Sequence, residues 1–189
     1  MVDVLETRLP EVLVFAPDVR RDARGYFVET FRASWLEQAG IEARFVQENQ
    51  SLSRRGVLRG LHFQWPYAQG KLVRVARGRI FDVAVDVRRG SPRFGAWAGT
   101  ELDGDAHRQV WIPPGFAHGF CVLSNEAEVV YKCTAYYDPA AEAGVRWNDP
   151  ALDIAWPDAG PYTLSAKDGA HPLLSDLPHD RLPVYRTMP

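Results

Sequence analysis

The sequence predicts an all-β protein, a sandwich or a barrel, with a jelly roll as a good candidate. Three observations indicate this class. From Gly56 onward, apolar and polar side chains alternate with the period of two that is typical of strands. Gly, Pro and Asn turns separate these short runs at close intervals. Only one short stretch carries helix signals, so helix is a minor ingredient.

The N-terminal part begins with a predicted hairpin or edge arm. Short apolar runs at 12–14 and 26–31 bracket a polar turn at 18–25. A helix is predicted at 34–39 and is barely two turns long. Its first residue, Ser34, is of the type preferred as an N-cap, and the glycine after its end matches a C-terminal cap.

Strands are predicted for most of the chain between 56 and 136. Over residues 80–87 the odd-numbered side chains are all apolar, whereas the even-numbered ones include Asp82 and Asp86. Arg77 and Gly78 separate this strand from the one before it with the spacing of a hairpin. The other predicted strands lie at 72–76, 110–112, 116–123 and 128–136.

Length and composition indicate one compact domain. The 189 residues are 46% hydrophobic and 12% aromatic, which is enough for a substantial core. No repeat, low-complexity tract or long linker divides the chain. We expect a single domain over 1–189, with an N-terminal arm at about 1–50, a core at about 51–138 and a C-terminal wrap at about 139–189.

The charge balance excludes a global basic field. There are 22 Lys and Arg residues against 24 Asp and Glu residues, so neither nucleic acid nor an acidic membrane is an expected partner. Nineteen of the 22 basic residues are arginines, which suit forked contacts with phosphate. Lysine is therefore rare enough to notice. The three lysines are Lys71, Lys132 and Lys167.

Cysteine usage and hydropathy indicate a cytoplasmic protein. Cys121 and Cys133 lie in apolar, strand-like segments without CxxC spacing, which predicts two reduced core thiols. No secretory leader pattern precedes them. Charged residues or prolines interrupt each apolar stretch well before about 18 residues, so no membrane span is expected.

His62 is the first candidate for chemistry. Alternation places it on one face with Gly60 and Gln64, and such a small, polar face is typical of a cavity wall. A lone strand histidine is by default a satisfied structural residue, and this interpretation stays open beside the functional one. The opposite face is predicted to carry Arg59, Leu61 and Phe63.

Lys71 and Tyr131 each lie on an apolar strand face. Lys71 is in phase with Val73 and Val75. It is either a rim residue whose ammonium group reaches solvent or, inside a cavity, a fixed cation for an anion or a developing oxyanion. Tyr131 is either core filler with a tethered hydroxyl or, opposite His62, a proton donor.

His118 ends a P-x-G-x-x-H pattern that begins at Pro113. This pattern resembles the second motif of the cupin superfamily, whose histidine often ligates a metal. The first cupin motif would add an H-x-H pair and a glutamate, yet the chain has Gln64 two residues after His62 and no glutamate before Glu101. Too few ligands remain, so the sequence disfavours a metal site.

Asp168 lies in a C-terminal segment with loop character. An exposed loop aspartate is the ordinary expectation for it. If the segment folds back under His62, however, the carboxylate can fix the tautomer of the imidazole and raise its basicity.

Seven motifs, in this order and spacing, resemble the dTDP-4-dehydrorhamnose 3,5-epimerase family. The resemblance spans roughly residues 10 to 175, and it is specific because the order of the motifs is shared. The motifs lie at 21–29, 47–51, 56–64, 69–75, 113–120, 131–137 and 147–150.

The resemblance implies a cupin-type jelly roll, a double-stranded β-helix with short peripheral helices, that uses neither metal nor cofactor. It implies a homodimer in which N-terminal strands cross to the partner. The implied substrate is a dTDP-4-keto-6-deoxyhexose, dTDP-4-dehydro-6-deoxy-D-glucose, which is inverted at C3 and C5 on the way to dTDP-L-rhamnose. Such a reaction needs a base, a partner for the enolate oxygen and a proton donor on the far face.

By position in the motifs, the resemblance assigns four catalytic residues. His62 corresponds to the base that removes the C3 and C5 protons, and Asp168 to the acid that orients it. Lys71 corresponds to the cation beside O4, and Tyr131 to the acid that returns the proton from the opposite side.

The resemblance also implies a set of substrate-binding residues. Arg24 and Arg59 correspond to pyrophosphate contacts, and Phe27 and Glu29 lie in the arm that meets the nucleotide. The other members correspond to contacts with the thymidine, phosphate or sugar. They are Gln47, Asn49, His118 and Tyr137.

The departures from the family pattern are few. Ala135 stands where an acid is common, and Phe63 where tyrosine is common. Neither position carries the implied chemistry. Three alternatives stay open: an epimerase that inverts only C3 or only C5 in an antibiotic-sugar pathway, a metal-dependent cupin enzyme that uses His118 with His62, and a dTDP-sugar binding domain without catalysis.

Overall fold

The computed structural model describes residues 2–185. Most of the chain forms two antiparallel sheets and a separate hairpin. The six-stranded sheet consists, in spatial order, of β1 (Val2–Glu6), β2 (Leu13–Pro17), β10 (Gln109–Ile112), β7 (Lys71–Arg77), β12 (Glu126–Cys133) and β5 (Gln47–Arg54). The five-stranded sheet consists of β13 (Glu142–Gly144), β6 (Leu58–Gln64), β11 (Phe116–Val122), β8 (Arg79–Asp86) and β9 (Trp97–Asp103).

The remaining elements are small. Strands β3 (Val19–Asp22) and β4 (Gly25–Val28) form the separate hairpin. Helix α1 (Ala33–Gln38) follows the hairpin, and α2 (Ala166–Gly169) lies near the C-terminus with two short 3₁₀ turns. The prediction of an all-β protein with short peripheral helices is confirmed. No helix among residues 2–185 is long and apolar enough to cross a membrane.

The main core lies between the two sheets, and a second core lies on the outer face of the five-stranded sheet. Strand β8 contributes to both. Its side chains Ile80 and Ala84 face the main core, whereas Val83 and Val85 face the outer one. Because both faces are covered, the aspartates of β8 are buried as well, and each is paired: Asp82 with His118, and Asp86 with Arg88.

The C-terminal segment covers that outer face. Leu152, Leu174, Leu177 and Leu182 pack against the β6 and β8 side chains. An isolated parallel bridge between Val57 and Thr163 ties the segment to the sheet. The segment thereby carries α2 to the edge of β6, where the candidate site lies. Both cysteines are buried and free, as predicted.

The predicted hairpin between β7 and β8 is wrong. Strand β7 pairs with β10 and β12, whereas β8 pairs with β11 and β9, so the two consecutive strands belong to different sheets. Gly78 allows the crossing. Its φ is +85°, and a Cβ there would lie 2.1 Å from the carbonyl oxygen of Glu126.

Two local predictions near the N-terminus need correction. The polar run at 18–25 is not one turn, since it contains β3, and the tight turn lies between Asp22 and Gly25. Helix α1 has Arg32 rather than Ser34 at its N-cap position, without a side-chain cap. Burial of the helix side chains against Phe15 and Trp111 in one apolar cluster sets the start of the helix, and the serine falls inside its first turn.

Candidate active site

A cleft opens where the two sheets separate, and residues from both sheets line it. His62 on β6 comes from the five-stranded sheet, whereas Lys71 on β7 and Tyr131 on β12 come from the six-stranded sheet. The cleft consists of two adjoining cavities of about 210 and 330 Å³ that share these three residues. The imidazole thus lies on one wall, and the ammonium group and the phenol lie on the other.

Strand pairing fixes the positions of Lys71 and Tyr131. In the β12–β7 register, Tyr131 is opposite Val73 and Cys133 is opposite Lys71. Lys71 and Tyr131 are therefore diagonal neighbours on one face, within reach of the same ligand. The alternation of β7 and β12 predicted this common face correctly.

His62 is paired with Asp168. Its Nε2 lies 2.6 Å from Oδ1 of Asp168, across 106 residues of sequence. Because a carboxylate only accepts, the proton of a neutral imidazole lies on Nε2, and the lone pair that can take a proton lies on Nδ1. The side chain of His62 is 30% exposed, whereas that of Asp168 is 6% exposed.

Helix α2 fixes the carboxylate. Ser165 caps the helix by accepting a hydrogen bond from the backbone N–H of Asp168 at 3.0 Å. Burial alone would raise the pKa of the Asp168 carboxyl, but the imidazoles of His171 and His62 together with Ser165 lower it below its usual range. Asp168 is therefore a permanent anion beside His62.

Lys71 is buried and has no carboxylate within 4 Å among residues 2–185. Burial lowers the pKa of its ammonium group, and Cys133, Asp82 and Glu142 oppose this change only in part. A buried cation without an ion-pair partner is available for an oxygen of a ligand.

Tyr131 is half-buried in the opposite wall from His62. Burial is the largest cause that raises the pKa of its phenol. The hydroxyl therefore stays protonated at neutral pH and can act as a proton donor.

Arg59 also lines the cleft, and the prediction that it lies on the face opposite His62 is wrong. Strand pairing explains the error. His62 is opposite His118 and Arg59 is opposite Phe120, so two residues of β6 face the single Gly119 of β11. This β-bulge reverses the alternation, and it turns the guanidinium to the same side as the imidazole.

His118 lines the cleft, and its Nε2 lies 2.8 Å from Oδ2 of Asp82. Burial lowers the pKa of its imidazole, although Asp82 acts in the opposite direction. Within residues 2–185, the one group of three side chains spaced to hold a metal ion does not include His118. It consists of His62, Asp168 and His171, and the ligand atoms of the first two are already joined by their hydrogen bond.

Gln47, Asn49 and Tyr137 line the cleft, and the contacts with substrate that the resemblance assigns to them stay a prediction. The amide of Gln47 donates to Asn49 at 3.0 Å and accepts from the backbone N–H of Tyr137 at 2.8 Å. The phenol of Tyr137 donates to Glu142 at 2.6 Å. This part of the cleft is thus polar and ordered by hydrogen bonds.

Arg24, Phe27 and Glu29 do not line the cleft of their own chain. Arg24 pairs with Asp22 at 2.6 Å, Glu29 pairs with Arg32 at 2.9 Å, and Phe27 is 71% exposed. Arg24 and Phe27 belong to the β3–β4 hairpin, which packs outside the cleft of its own chain.

The hairpin rests on the loop between β9 and β10. Arg21 donates to the backbone oxygen of Asp105 at 2.7 Å, and the ring of Tyr26 lies 4.6 Å from that of His107. This loop packs through Gly104 against Arg77, the last residue of β7. Lys71 is the first residue of that strand, so about 20 Å separates the hairpin contact from the cleft.

Residues 6–176 match the family model described as dTDP-4-dehydrorhamnose 3,5-epimerase. The chain belongs to this family. An epimerase of that name from Neisseria gonorrhoeae is 55% identical over 167 residues, which are 88% of this chain and 51% of that protein. The chain therefore spans about half the length of this relative. The epimerase of Shigella flexneri is 53% identical over 88% of this chain and 93% of that protein.

A solved structure of the same family matches the whole fold. It is a dTDP-6-deoxy-D-glucose-3,5-epimerase from Legionella pneumophila Philadelphia 1 in complex with dTDP-4-keto-L-rhamnose. Its TM-score is 0.96 at 48% identity, and the match covers 99% of this chain and 100% of that chain. The predicted family, its isomerase class and the cupin-type jelly roll are thereby confirmed.

Sequence reasoning missed several groups in the cleft of this epimerase-family chain. Glu142 accepts hydrogen bonds from Tyr137 and Lys167. Burial raises the pKa of its carboxyl, but these two donors outweigh burial and lower the pKa below its usual value. Its short strand, β13, had no periodicity to reveal it. His171, beside Asp168, carried no signal beyond its residue type. Asp82 did carry a sequence signal, since a charged side chain within an apolar strand requires a partner.

Proposed function

We propose that this protein is a dTDP-4-dehydrorhamnose 3,5-epimerase. One observation carries the proposal: the paired imidazole of His62 faces a buried, unpaired Lys71 and a protonated Tyr131 across one cleft. A base, a cation and an acid on two sides of a sugar ring are what inversion beside a ketone requires. The confirmed family supports the same reaction.

The reaction begins with proton removal from carbon. Hydrogens next to the C4 ketone are acidic only if the enolate is stabilised. Nδ1 of His62 takes the proton from C3 or C5, and the imidazolium that forms is stabilised by the anionic Asp168. No electron leaves the substrate, so no redox cofactor is needed.

The second half of the reaction uses the opposite wall. Lys71 holds the negative charge that develops on O4, and its burial strengthens this attraction. Tyr131 then gives its proton to the face that His62 does not approach, which inverts the carbon. Solvent then takes the proton from His62 and returns one to Tyr131, and the same two steps at the second carbon complete a double inversion.

Incubation with dTDP-4-keto-6-deoxyglucose in deuterated water tests the proposal. Double inversion predicts deuterium from solvent at both C3 and C5 of the product, as read by proton NMR. Label at one carbon alone would instead identify a single-centre epimerase. Binding without any label would identify a sugar-nucleotide binding domain, and stoichiometric zinc, iron or manganese needed for exchange would identify a metal-dependent cupin enzyme.

We also propose a homodimer in which each cleft is completed by the β3–β4 hairpin of the partner. The hairpin lies about 20 Å along β7 from Lys71 of its own chain, and it presents the exposed Phe27 and Arg24 outward. A cleft with few cations of its own gains a guanidinium for the pyrophosphate in this way. The two-fold symmetry of a dimer completes both clefts alike.

Mixing two inactive variants tests the shared site. The His62→Ala variant lacks the base in its cleft but has an intact hairpin. The double variant Arg24→Ala/Phe27→Ala has an intact cleft but lacks both hairpin side chains. Hybrid dimers made by co-refolding regain one intact site each, so we expect about a quarter of wild-type activity from an equal mixture. A mixture no more active than the mean of its parents would show that the hairpin serves its own chain.

We propose that the protein is cytoplasmic, since its buried, free thiols support a reducing compartment. We also propose that residues 1–189 form a single domain. Packing of the C-terminal segment onto the five-stranded sheet supports a single unit, since that segment supplies part of the outer core.

A further inference from the structure

His171 has a buried nitrogen without a hydrogen-bond partner among the described residues. This atom, Nε2, lies 3.7 Å from Oδ1 of Asp168, the same oxygen that Nε2 of His62 contacts at 2.6 Å. The side chain is only 9% exposed. A buried polar atom that makes no hydrogen bond lowers stability, so its presence here requires an explanation.

The surroundings hold the His171 ring in place. The ring lies on Gly144, where a Cβ would come within 2.4 Å of it, and Gly144 is the residue opposite His62 in the β13–β6 register. The rings of His171 and His62 meet edge to face, with centroids 5.5 Å apart. The backbone oxygen of His171 accepts from Arg146 at 3.2 Å. His171 thus lies directly behind the base.

We propose that His171 is a positioning residue: its Nε2, 3.7 Å from Oδ1 of Asp168, moves into hydrogen-bond distance of that oxygen and so holds the carboxylate on His62 throughout the catalytic cycle. The inference rests on the proposed function and deepens it. His62 changes from neutral to cationic at each proton removal, and its pull on Asp168 changes with it. A second donor on the same oxygen keeps the carboxylate in one place in both states.

Two substitutions separate positioning from packing. His171→Phe keeps a flat ring above Gly144 but has no donor, whereas His171→Gln keeps an amide donor that reaches Asp168. We expect His171→Phe to lower kcat about 10-fold with KM little changed. We expect His171→Gln to recover most of the lost kcat. The matched control is His179→Phe, an exposed histidine in the same C-terminal segment.

An unchanged kcat in His171→Phe would overturn the proposal, as would equal losses in the Phe and Gln variants. A readout without turnover keeps this test distinct from that of the proposed function. In the substrate-free protein, the Nε2 proton of His62 reports in NMR spectra on its hydrogen bond to Asp168, and we expect it to exchange faster with solvent in His171→Phe and to return to the wild-type rate in His171→Gln. An exchange rate that does not change overturns the role of His171, even if the protein epimerises no sugar.

Discussion

We expect the His62→Gln variant to lose almost all exchange of solvent deuterium into C3 and C5 of the sugar, while it still binds dTDP. Glutamine can donate to Asp168 from the position of Nε2, but it has no nitrogen that takes a proton. Loss of a general base costs about a thousandfold in rate. We expect binding to survive because the proposed assignment gives the pyrophosphate to arginines rather than to the imidazole.

Proton NMR of the 4-keto sugar nucleotide in deuterated water measures the exchange, and calorimetry with dTDP measures the affinity. His179→Gln, on the surface of the C-terminal segment, is the matched control and keeps full exchange. Two results contradict the assignment of the base: exchange in His62→Gln within tenfold of wild type, or a loss of dTDP affinity as large as the loss of rate.

Glutamine in place of Lys71 slows exchange at both carbons about 100-fold or more, because the enolate loses a buried charge at O4. The pH profile carries a second signature. Burial lowers the pKa of Lys71, so the ammonium group loses its charge at a lower pH than an ordinary lysine does, and we expect wild-type activity to fall on the alkaline side as that charge is lost. The residual activity of Lys71→Gln lacks this alkaline limb.

Deprotonation of Tyr131 is the other candidate cause of the alkaline fall in activity, and it can be distinguished from deprotonation of Lys71. Burial raises the pKa of Tyr131, so its phenol keeps its proton where Lys71 loses charge. Exchange catalysed by Tyr131→Phe therefore retains the wild-type limb. Lys132→Gln is the matched control, since Lys132 pairs with Glu48 outside the cleft. An alkaline limb that disappears in Tyr131→Phe and persists in Lys71→Gln would reverse the two roles.

The part of the site that could be predicted from residues alone lies on regular strands. Period-two alternation placed Lys71 and Tyr131 on apolar strand faces but left open whether each face lines a cavity, because a regular ladder fixes the face of a side chain and not what that face covers. It failed at Arg59, where one extra residue in β6 reverses the faces. A bulge depends on the register against a partner strand, which a single strand does not encode.

The part that could not be predicted depends on contacts between distant segments. The spacing at Gly78 is the same for a hairpin and for a crossing between sheets, and only the packing of β7 and β8 distinguishes them. His171 lies in an irregular segment, and Glu142 lies on a strand of only three residues, too short to show periodicity. The link between His62 and Asp168 was conditional on a fold-back of the C-terminal segment, and motif resemblance rather than local chemistry suggested it.

The 106 residues between His62 and Asp168 have a consequence for the timing of biosynthesis. On the ribosome, the strand that carries the imidazole leaves the exit tunnel long before the helix that carries its carboxylate partner. A nascent chain that has already formed both sheets still lacks an oriented base. The proposed base is therefore oriented only after the segment that carries Asp168 has been synthesised and has packed back onto β6.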